Sequence, residues 1–139
     1  MTKVIHISKE IAYSMLLKDI NHILTDMKLP VTGEGKYKKY TGKYGHIKIK
    51  IYHIDEGYSG SICKWNVTEE TIPSAYQKNV EKVISFFITY VAGLTGEDKF
   101  FTFEVIGGST HPVDGRAGDY EIATLFAIIN AFDNELCKP

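Results

Sequence analysis

The chain has 139 residues, of which 44% are hydrophobic and 24% are charged. This composition is typical of one ordinary globular domain and excludes a collagen, a coiled coil and a wholly disordered chain. The formal net charge is −1, which by itself argues against a strongly basic nucleic-acid-binding protein.

The first part of the chain predicts a helix followed by three strands. Ser8 suits the N-cap position of the helix, Pro30 ends it, and apolar residues recur between them at helical spacing: Ile11, Met15, Leu16, Ile20, Ile23, Leu24 and Met27. Strands are expected at residues 36–40, 46–54 and 61–67, the first two joined by a turn.

The second part predicts a long helix, a strand and a final helix. The long helix is expected to begin near Pro73 and to end at Gly93, and the strand covers residues 100–106. The final helix, residues 120–136, has an apolar face formed by Ile122, Phe126, Ile129 and Phe132. This order of elements predicts a single α+β domain with a βαβ crossover in its middle.

The nearly neutral net charge conceals a basic segment in the first half of the chain. Residues 1–50 carry ten lysines and four acidic residues, whereas residues 51–139 carry six basic and thirteen acidic residues. Six of the lysines lie in residues 36–50, which contain no acidic residue. This segment is a candidate phosphate-facing surface. The alternative is an edge strand that lysines protect from aggregation.

Motifs of common enzymes and metal sites are not found in the sequence. The Gly-Lys pairs at residues 35–36 and 42–43 are each followed by Tyr, not by the Ser or Thr of a P-loop. The five histidines form no i, i+4 pair, and the two cysteines are too few for a disulfide framework. We therefore expect no nucleotide, metal or other cofactor.

The sequence also contains no apolar run of the kind that a signal peptide or a membrane span requires. With only two cysteines, a reducing compartment is the simplest interpretation. We therefore expect a cytoplasmic protein without membrane contact.

One loop combines a hydroxyl, an imidazole and a carboxylate. Residues 109–114 read STHPVD, but neighbours in sequence rarely form a catalytic site, because such sites need side chains from separate elements. One alternative is a plain surface loop. Another is a recognition tip, since Pro112 holds His111 in an extended conformation from which an imidazole can contact a base or a phosphate.

Three short motifs stand out along the chain. Residues 41–50 read TGKYGHIKIK, residues 72–76 read IPSAY, and residues 108–114 read GSTHPVD. In this order and spacing they resemble the first strand motif, the long-helix start and the final loop of domain IV of elongation factor G and of the related tetracycline-resistance ribosomal protection proteins. The resemblance covers residues 36–136.

The resemblance implies a split βαβ fold with a left-handed crossover, in which helices pack on a four-stranded sheet. Residues 36–139 would form this domain, and residues 1–35 would be an N-terminal helical extension. In the family, domain IV enters the decoding site of the small ribosomal subunit, and its tip consists of two loops. These correspond here to residues 39–45 and 109–116.

The candidate RNA-binding residues lie in or next to the two loops: Lys39, Lys43, Tyr44, His46, Thr110, His111 and Arg116. The implied function is non-enzymatic binding of the ribosome or of structured RNA. The alternative is an accessory module that kept the fold, lost RNA binding and has a protein partner.

The sequence departs from the family pattern at both tips. The family's Gly-Gly-Arg-Gly run is replaced by residues 39–42, KYTG, so its arginine is absent, and the Ser-Ser pair after Asp114 is replaced by Gly115-Arg116. No motif of a GTP-binding domain accompanies the three motifs, so we expect neither GTPase nor translocase activity.

Overall fold

The structure is a computed structural model that describes residues 29–54 and 59–136. In chain order its elements are strand β1 (Val31–Lys39), strand β2 (Lys43–His53), strand β3 (Ile62–Trp65), a 3₁₀ turn (Ser74–Tyr76), helix α1 (Gln77–Thr95), strand β4 (Phe101–Ser109) and helix α2 (Ala117–Leu136). The helix expected between Ser8 and Pro30 lies almost entirely outside the described residues.

The four strands form one mixed sheet in the order β1-β2-β4-β3. β1 pairs with β2 and β2 with β4 in antiparallel fashion, whereas β3 and β4 are parallel. The parallel pair requires a crossover, which α1 provides between β3 and β4. The α+β class and the four-stranded sheet are therefore confirmed, and the handedness of the crossover stays a prediction.

The core lies on one face of the sheet, called here the inner face. Alternate residues of β2 and β4 point into it and are almost completely buried: Ile47, Ile49, Ile51, Phe101, Phe103 and Val105. The ring of Phe87 on α1 contacts Phe103 at a centroid distance of 6.2 Å and Phe132 on α2 at 5.5 Å. Each fully buried side chain of this size stabilises the fold by about 1.5–3 kcal/mol.

Helix α2 packs unusually close to β1. Its contact stripe consists of Ala123, Ala127 and Ala131, all fully buried. A Cβ atom added to Gly33 would lie 1.9 Å from the carbonyl oxygen of Ala127, and one added to Gly35 would lie 1.9 Å from that of Ala123. Glycines on the strand and alanines on the helix therefore let the two backbones touch.

This packing explains why β1 is longer than the sequence pattern predicts. The strand begins at Val31 instead of residue 36, so the expected domain boundary at residues 35–36 falls inside it. Gly33 and Gly35 occupy the buried positions and hide the alternation, because a glycine has no apolar side chain to reveal it.

Both helices differ from the predicted bounds. Helix α2 begins at Ala117 instead of residue 120, and α1 differs at both ends. α1 follows a 3₁₀ turn and begins at Gln77. It ends at Thr95 and is capped by Gly96, which has a φ of +72° and donates its N–H to the carbonyl of Ala92 at 2.9 Å. Gly93, the expected cap, lies within the helix. Either glycine could serve as an αL cap, so the sequence predicted the end of α1 three residues too early.

The apolar face expected for α2 is only partly buried, since Ile129 and Phe132 are 2% and 1% exposed but the other two expected residues are not buried. Ile122 is 36% exposed, whereas Ile128 is fully buried. Ile122 lines a groove of about 520 Å³ between the two helices, together with Phe86 and Leu125. The buried face includes the alanine stripe that packs on β1 as well as the larger side chains of Ile128, Ile129 and Phe132.

The other face of the sheet, called here the outer face, carries the side chains that alternate with the core residues. Their strand positions follow from the register: Thr32, Glu34, Lys36, Lys38, Tyr44, His46, Lys48, Lys50, Tyr52, Ile62, Lys64, Thr102, Glu104, Gly107 and Ser109. Neither α1 nor α2 covers this face. Neither helix, moreover, is both long and apolar enough to span a bilayer.

Candidate functional site

Two loops lie side by side at one end of the sheet. The hairpin turn, residues 40–42, joins β1 to β2, and the second loop, residues 110–116, joins β4 to α2. The backbone N–H of Gly115 donates to the carbonyl of Gly42 at 3.1 Å. Gly42 has a φ of +85°, the left-handed conformation that a three-residue hairpin turn commonly needs.

A buried carboxylate holds the two loops together. Asp119 Oδ2 accepts the backbone N–H of Arg116 at 3.0 Å and that of Tyr44 at 3.2 Å. Asp119 is the third residue of α2, so the first bond is the carboxylate half of a capping box. The second bond fixes the start of β2 against the start of α2.

Ser109 gathers a second cluster on the outer face. Its Oγ atom lies 2.7 Å from Tyr44 Oη and 2.7 Å from His46 Nδ1. His46 Nε2 lies 2.8 Å from Glu34 Oε1. This hydrogen bond and, next, the electrostatic interaction with His46 lower the pKa of the Glu34 carboxyl, so Glu34 is an anion at neutral pH. The cluster cross-links β1, β2 and β4 directly below the loops.

The order Ser109, His46, Glu34 is the order of nucleophile, base and acid in a hydrolase. Two observations favour a structural role instead. The side chain of Glu34 is 57% exposed, unlike the buried acid of a triad. Ser109 ends a strand and shares its hydroxyl with Tyr44, whereas a nucleophile elbow places its serine on a sharp strand-to-helix turn.

His111 shapes the second loop and keeps one ring edge exposed. Its Nδ1 atom accepts the backbone N–H groups of Val113 at 3.2 Å and of Asp114 at 2.9 Å. Because Nδ1 acts as the acceptor, the neutral ring carries its proton on Nε2. The His111 residue is exposed, and its ring lies 5.7 Å from that of Tyr44. Nε2–H is thus a donor without an acceptor among the described residues.

The cationic residues divide between the two sides of the loops. Lys43 and Arg116, both exposed, line a polar cleft of about 350 Å³ between the loops. Lys39 instead places its Nζ atom 6.0 Å from the ring of Tyr37. Thr110 Oγ1 donates to the carbonyl of Glu70 at 3.4 Å, which ties the second loop to the segment before α1.

The structure therefore brings most of the predicted residues to one end of the molecule. Tyr44, His111 and Thr110 lie on one side, and Lys43 and Arg116 on the other. His46 is further from the tip, half-buried, and has both ring nitrogens engaged, so the structure gives it a positioning role.

Sequence reasoning missed Tyr40 and the second role of Asp119. Tyr40 is fully exposed at the apex of the hairpin turn. An aromatic residue in a turn flanked by lysines is the sequence feature that could have indicated it as a binding residue. From local sequence, Asp119 is recognisable only as a carboxylate in the first turn of the last helix. Its bond to Tyr44 joins residues 75 positions apart, which no local pattern reveals. Within the described ranges, no group of three His, Cys, Asp or Glu residues is arranged to hold a metal ion.

Comparison with known proteins agrees with the motifs. No protein-family model matches the chain. Elongation factor G of Carsonella ruddii (strain PV) is 32% identical over 108 residues, which is 76% of this chain and 16% of that protein. A crystal structure of a protein from Thermus thermophilus matches with a TM-score of 0.61 and 28% identity, covering 77% of this chain and 16% of that one. The chain thus spans about a sixth of the length of each relative, and it is a domain IV-like homologue of elongation factor G.

Proposed function

We propose that this protein binds ribosomal RNA through its two adjacent loops and acts without catalysing a reaction. The observation that carries the proposal is the hydrogen bond between Gly115 and Gly42, which joins the two loops into one tip. Exposed Lys43, His111 and Arg116 surround this junction.

The chemistry of the tip suits structured RNA. Lys43 and Arg116 supply positive charge for phosphates, and the Nε2–H of His111 is a hydrogen-bond donor. Tyr40 at the apex offers a ring on which an unpaired base can stack. The clamp by Asp119 holds these groups in place before binding, which reduces the entropy lost on association.

A catalytic role has less support from the geometry. In the run of residues 109–114, the ring of His111 uses Nδ1 to accept two backbone N–H groups. Ser109 contacts His46 instead of His111. The hydroxyl, imidazole and carboxylate that are neighbours in sequence therefore do not form a relay, and binding is the function that their arrangement favours.

Co-sedimentation of the full chain with purified small ribosomal subunits tests the proposal. We expect the Lys43→Ala/His111→Ala variant to bind about tenfold more weakly, a loss of about 1.4 kcal/mol. The matched control is Lys99→Ala/His53→Ala, which removes the same residue types at the opposite end of the sheet. Equal binding by the two variants, or no binding by the wild-type chain at about 50 mM salt, would contradict the proposal.

A further inference from the structure

The outer face of the sheet carries a positive charge that the tip does not account for. Five lysines project from it, against the two carboxylates of Glu34 and Glu104. Both carboxyl groups have lowered pKa values, Glu104 mainly because Tyr52 donates a hydrogen bond to it. They are therefore charged at neutral pH, and the face keeps an excess of three positive charges.

We propose that this outer face binds a single-stranded segment of RNA that continues from the tip. The inference rests on the proposed function, and it adds a second surface with its own ligand chemistry. The three residues that carry it are Lys36 on β1 and Lys48 and Lys50 on β2.

Protection of a sheet edge explains only part of this lysine pattern. Lysines on β1 lie on an edge strand, where they discourage pairing with another chain. Lys48 and Lys50 lie on β2, which is paired on both sides, with β1 and with β4. Since β2 has no free edge to protect, and the cross-strand neighbours Glu34 and Glu104 balance only two of the five lysines, a ligand is the better explanation for the remaining charge.

Two tyrosines on the same face provide rings next to the charges. Lys36 Nζ lies 5.9 Å from the ring centre of Tyr44, and Lys50 Nζ lies 5.6 Å from that of Tyr52. Interleaved aromatic and cationic side chains are the pattern of single-strand binding, in which bases stack on rings while phosphates meet cations. A four-stranded sheet with aromatic residues on one face is a known platform of this kind.

Gly107 leaves the centre of this face open. It lies opposite Lys48, and its backbone has no positive φ. A Cβ atom added there would come no closer than 3.6 Å to its neighbours, which is ordinary contact. Neither the backbone nor the packing of the described residues requires glycine here, whereas a flat base approaching the sheet would benefit from the missing side chain.

The outer face is continuous with the tip through Tyr44. Its ring lies 5.7 Å from the ring of His111 on one side, and Lys36 lies over it. A strand leaving the tip at His111 therefore meets Tyr44, then Lys36 and Lys48, and then Lys50 beside Tyr52. Duplex RNA fits this face less well, because its bases are stacked inside the helix and cannot reach the rings.

Fluorescence anisotropy with a labelled oligouridylate of about 12 nucleotides, within the length that single-strand-binding folds occupy, tests the inference. We expect Lys36→Ala/Lys48→Ala/Lys50→Ala to weaken binding at least about tenfold. The slope of log K against log salt should also fall by about 2, since each phosphate contact of a single strand contributes about 0.7. The control is Lys78→Ala/Lys82→Ala/Lys99→Ala, which removes three lysines away from the outer face and should retain the wild-type slope.

A second variant tests the open centre without changing charge. Gly107→Val should lower the affinity for the oligouridylate and leave the salt slope unchanged, while Trp65 fluorescence confirms the fold. Equal binding by the two lysine triples, or no binding of the oligouridylate by the wild-type chain, overturns the inference. Lys43→Ala/His111→Ala should keep most of its oligouridylate affinity. Sedimentation with ribosomal subunits therefore tests the proposed function of the tip independently of the outer face.

Discussion

Asp119 is the residue on which the geometry of the tip depends most. It is 5% exposed and accepts backbone N–H groups from both Arg116 and Tyr44. We predict that Asp119→Ala destabilises the protein by about 1–3 kcal/mol, because two donors lose their acceptor in a part-buried site. Urea unfolding followed by Trp65 fluorescence measures this loss.

Asp119→Asn is the control for that prediction. Its amide oxygen can still accept both N–H groups, so we expect it to retain most of the stability that Asp119→Ala loses. If the two variants were equally destabilised, the negative charge at the start of α2, and not the pair of hydrogen bonds, would be the source of the effect.

Glu104 links the stability of the fold to acidic pH. Hydrogen bonds from Tyr52 at 2.8 Å and from Asn66 at 3.0 Å lower its carboxyl pKa from the ordinary value of 4.5. A carboxyl whose pKa is lower in the folded state stabilises the protein above its unfolded pKa, and this contribution is lost as the pH falls through the folded pKa.

We therefore predict that the melting temperature of Glu104→Gln falls less steeply than that of the wild type below about pH 4.5. Thermal unfolding from neutral pH into this acidic range checks the difference. Glu70→Gln, which removes an exposed carboxylate outside the sheet, should retain the wild-type profile. Parallel profiles for Glu104→Gln and the wild type would refute this assignment.

Cys63 should be an unreactive thiol in the native protein. Burial, and next the nearby charge of Glu81, raise the pKa of its thiol to about 12, and only the thiolate is nucleophilic. In a Cys137→Ser variant, we predict that iodoacetamide modifies Cys63 at least about 100 times more slowly than free cysteine near pH 8. Urea should remove this difference, and rapid modification without urea would contradict the prediction.

At the scale of elements, the contact between β1 and α2 depends on glycine. Gly35 lies where an added Cβ atom would be 1.9 Å from the carbonyl oxygen of Ala123, so helix and strand would have to separate. We predict that Gly35→Ala destabilises the fold by about 1–3 kcal/mol, the usual cost of overpacking a core. Chemical unfolding of the purified variant measures the loss.

Gly93 supplies the matched comparison for Gly35. It is exposed within α1, and an added Cβ atom would meet nothing within 4 Å. Gly93→Ala should therefore stabilise the protein by up to about 1 kcal/mol through helix propensity. Destabilisation by both substitutions would show that the close approach of β1 and α2 is not the reason for Gly35.

The elements also show which kinds of pattern can be interpreted without tertiary structure. The alternation of Ile47, Ile49 and Ile51 is visible in the sequence, and the complete burial of these residues shows that it marks the inner face of β2. β1 was predicted too short, and the face of α2 was predicted only in part, because glycine and alanine make the contact between these two elements. Small residues carry little hydrophobic signal, although they decide how closely two backbones approach.

At the scale of the whole molecule, a single hydrophobic core in the described residues joins both helices to the sheet. Phe87 of α1 contacts Phe103 of β4 and Phe132 of α2, so no helix can separate without exposing the same cluster. We predict a single cooperative transition of this part of the chain. Trp65 fluorescence reports on β3, whereas near-ultraviolet circular dichroism sums the aromatic side chains of all elements, including the tyrosines of β1, β2 and α2.

The two urea curves should have the same midpoint. Different midpoints would mean that β3 and α1 unfold apart from the β1–β2 hairpin and α2. As an internal control, Phe87→Ala should shift both midpoints together, since its ring lies between the two helices and the sheet.

The three motifs, the core alternation of β2 and β4, and the uneven distribution of lysines were accessible from the sequence alone. They predicted the α+β class and the resemblance to domain IV of elongation factor G, both of which are confirmed. These features are local, since a motif or a period of two residues is complete within one element.

Only the tertiary structure decided how the tip is built and which charges share a face. The bonds from Gly115 to Gly42 and from Asp119 to Tyr44 join segments more than 70 residues apart. Likewise, the position of Lys48 and Lys50 on an internal strand follows from the pairing of β2 with β4. Strand register and backbone contact depend on distant parts of the chain, and so a basic segment in the sequence became a defined surface only when the sheet was assembled.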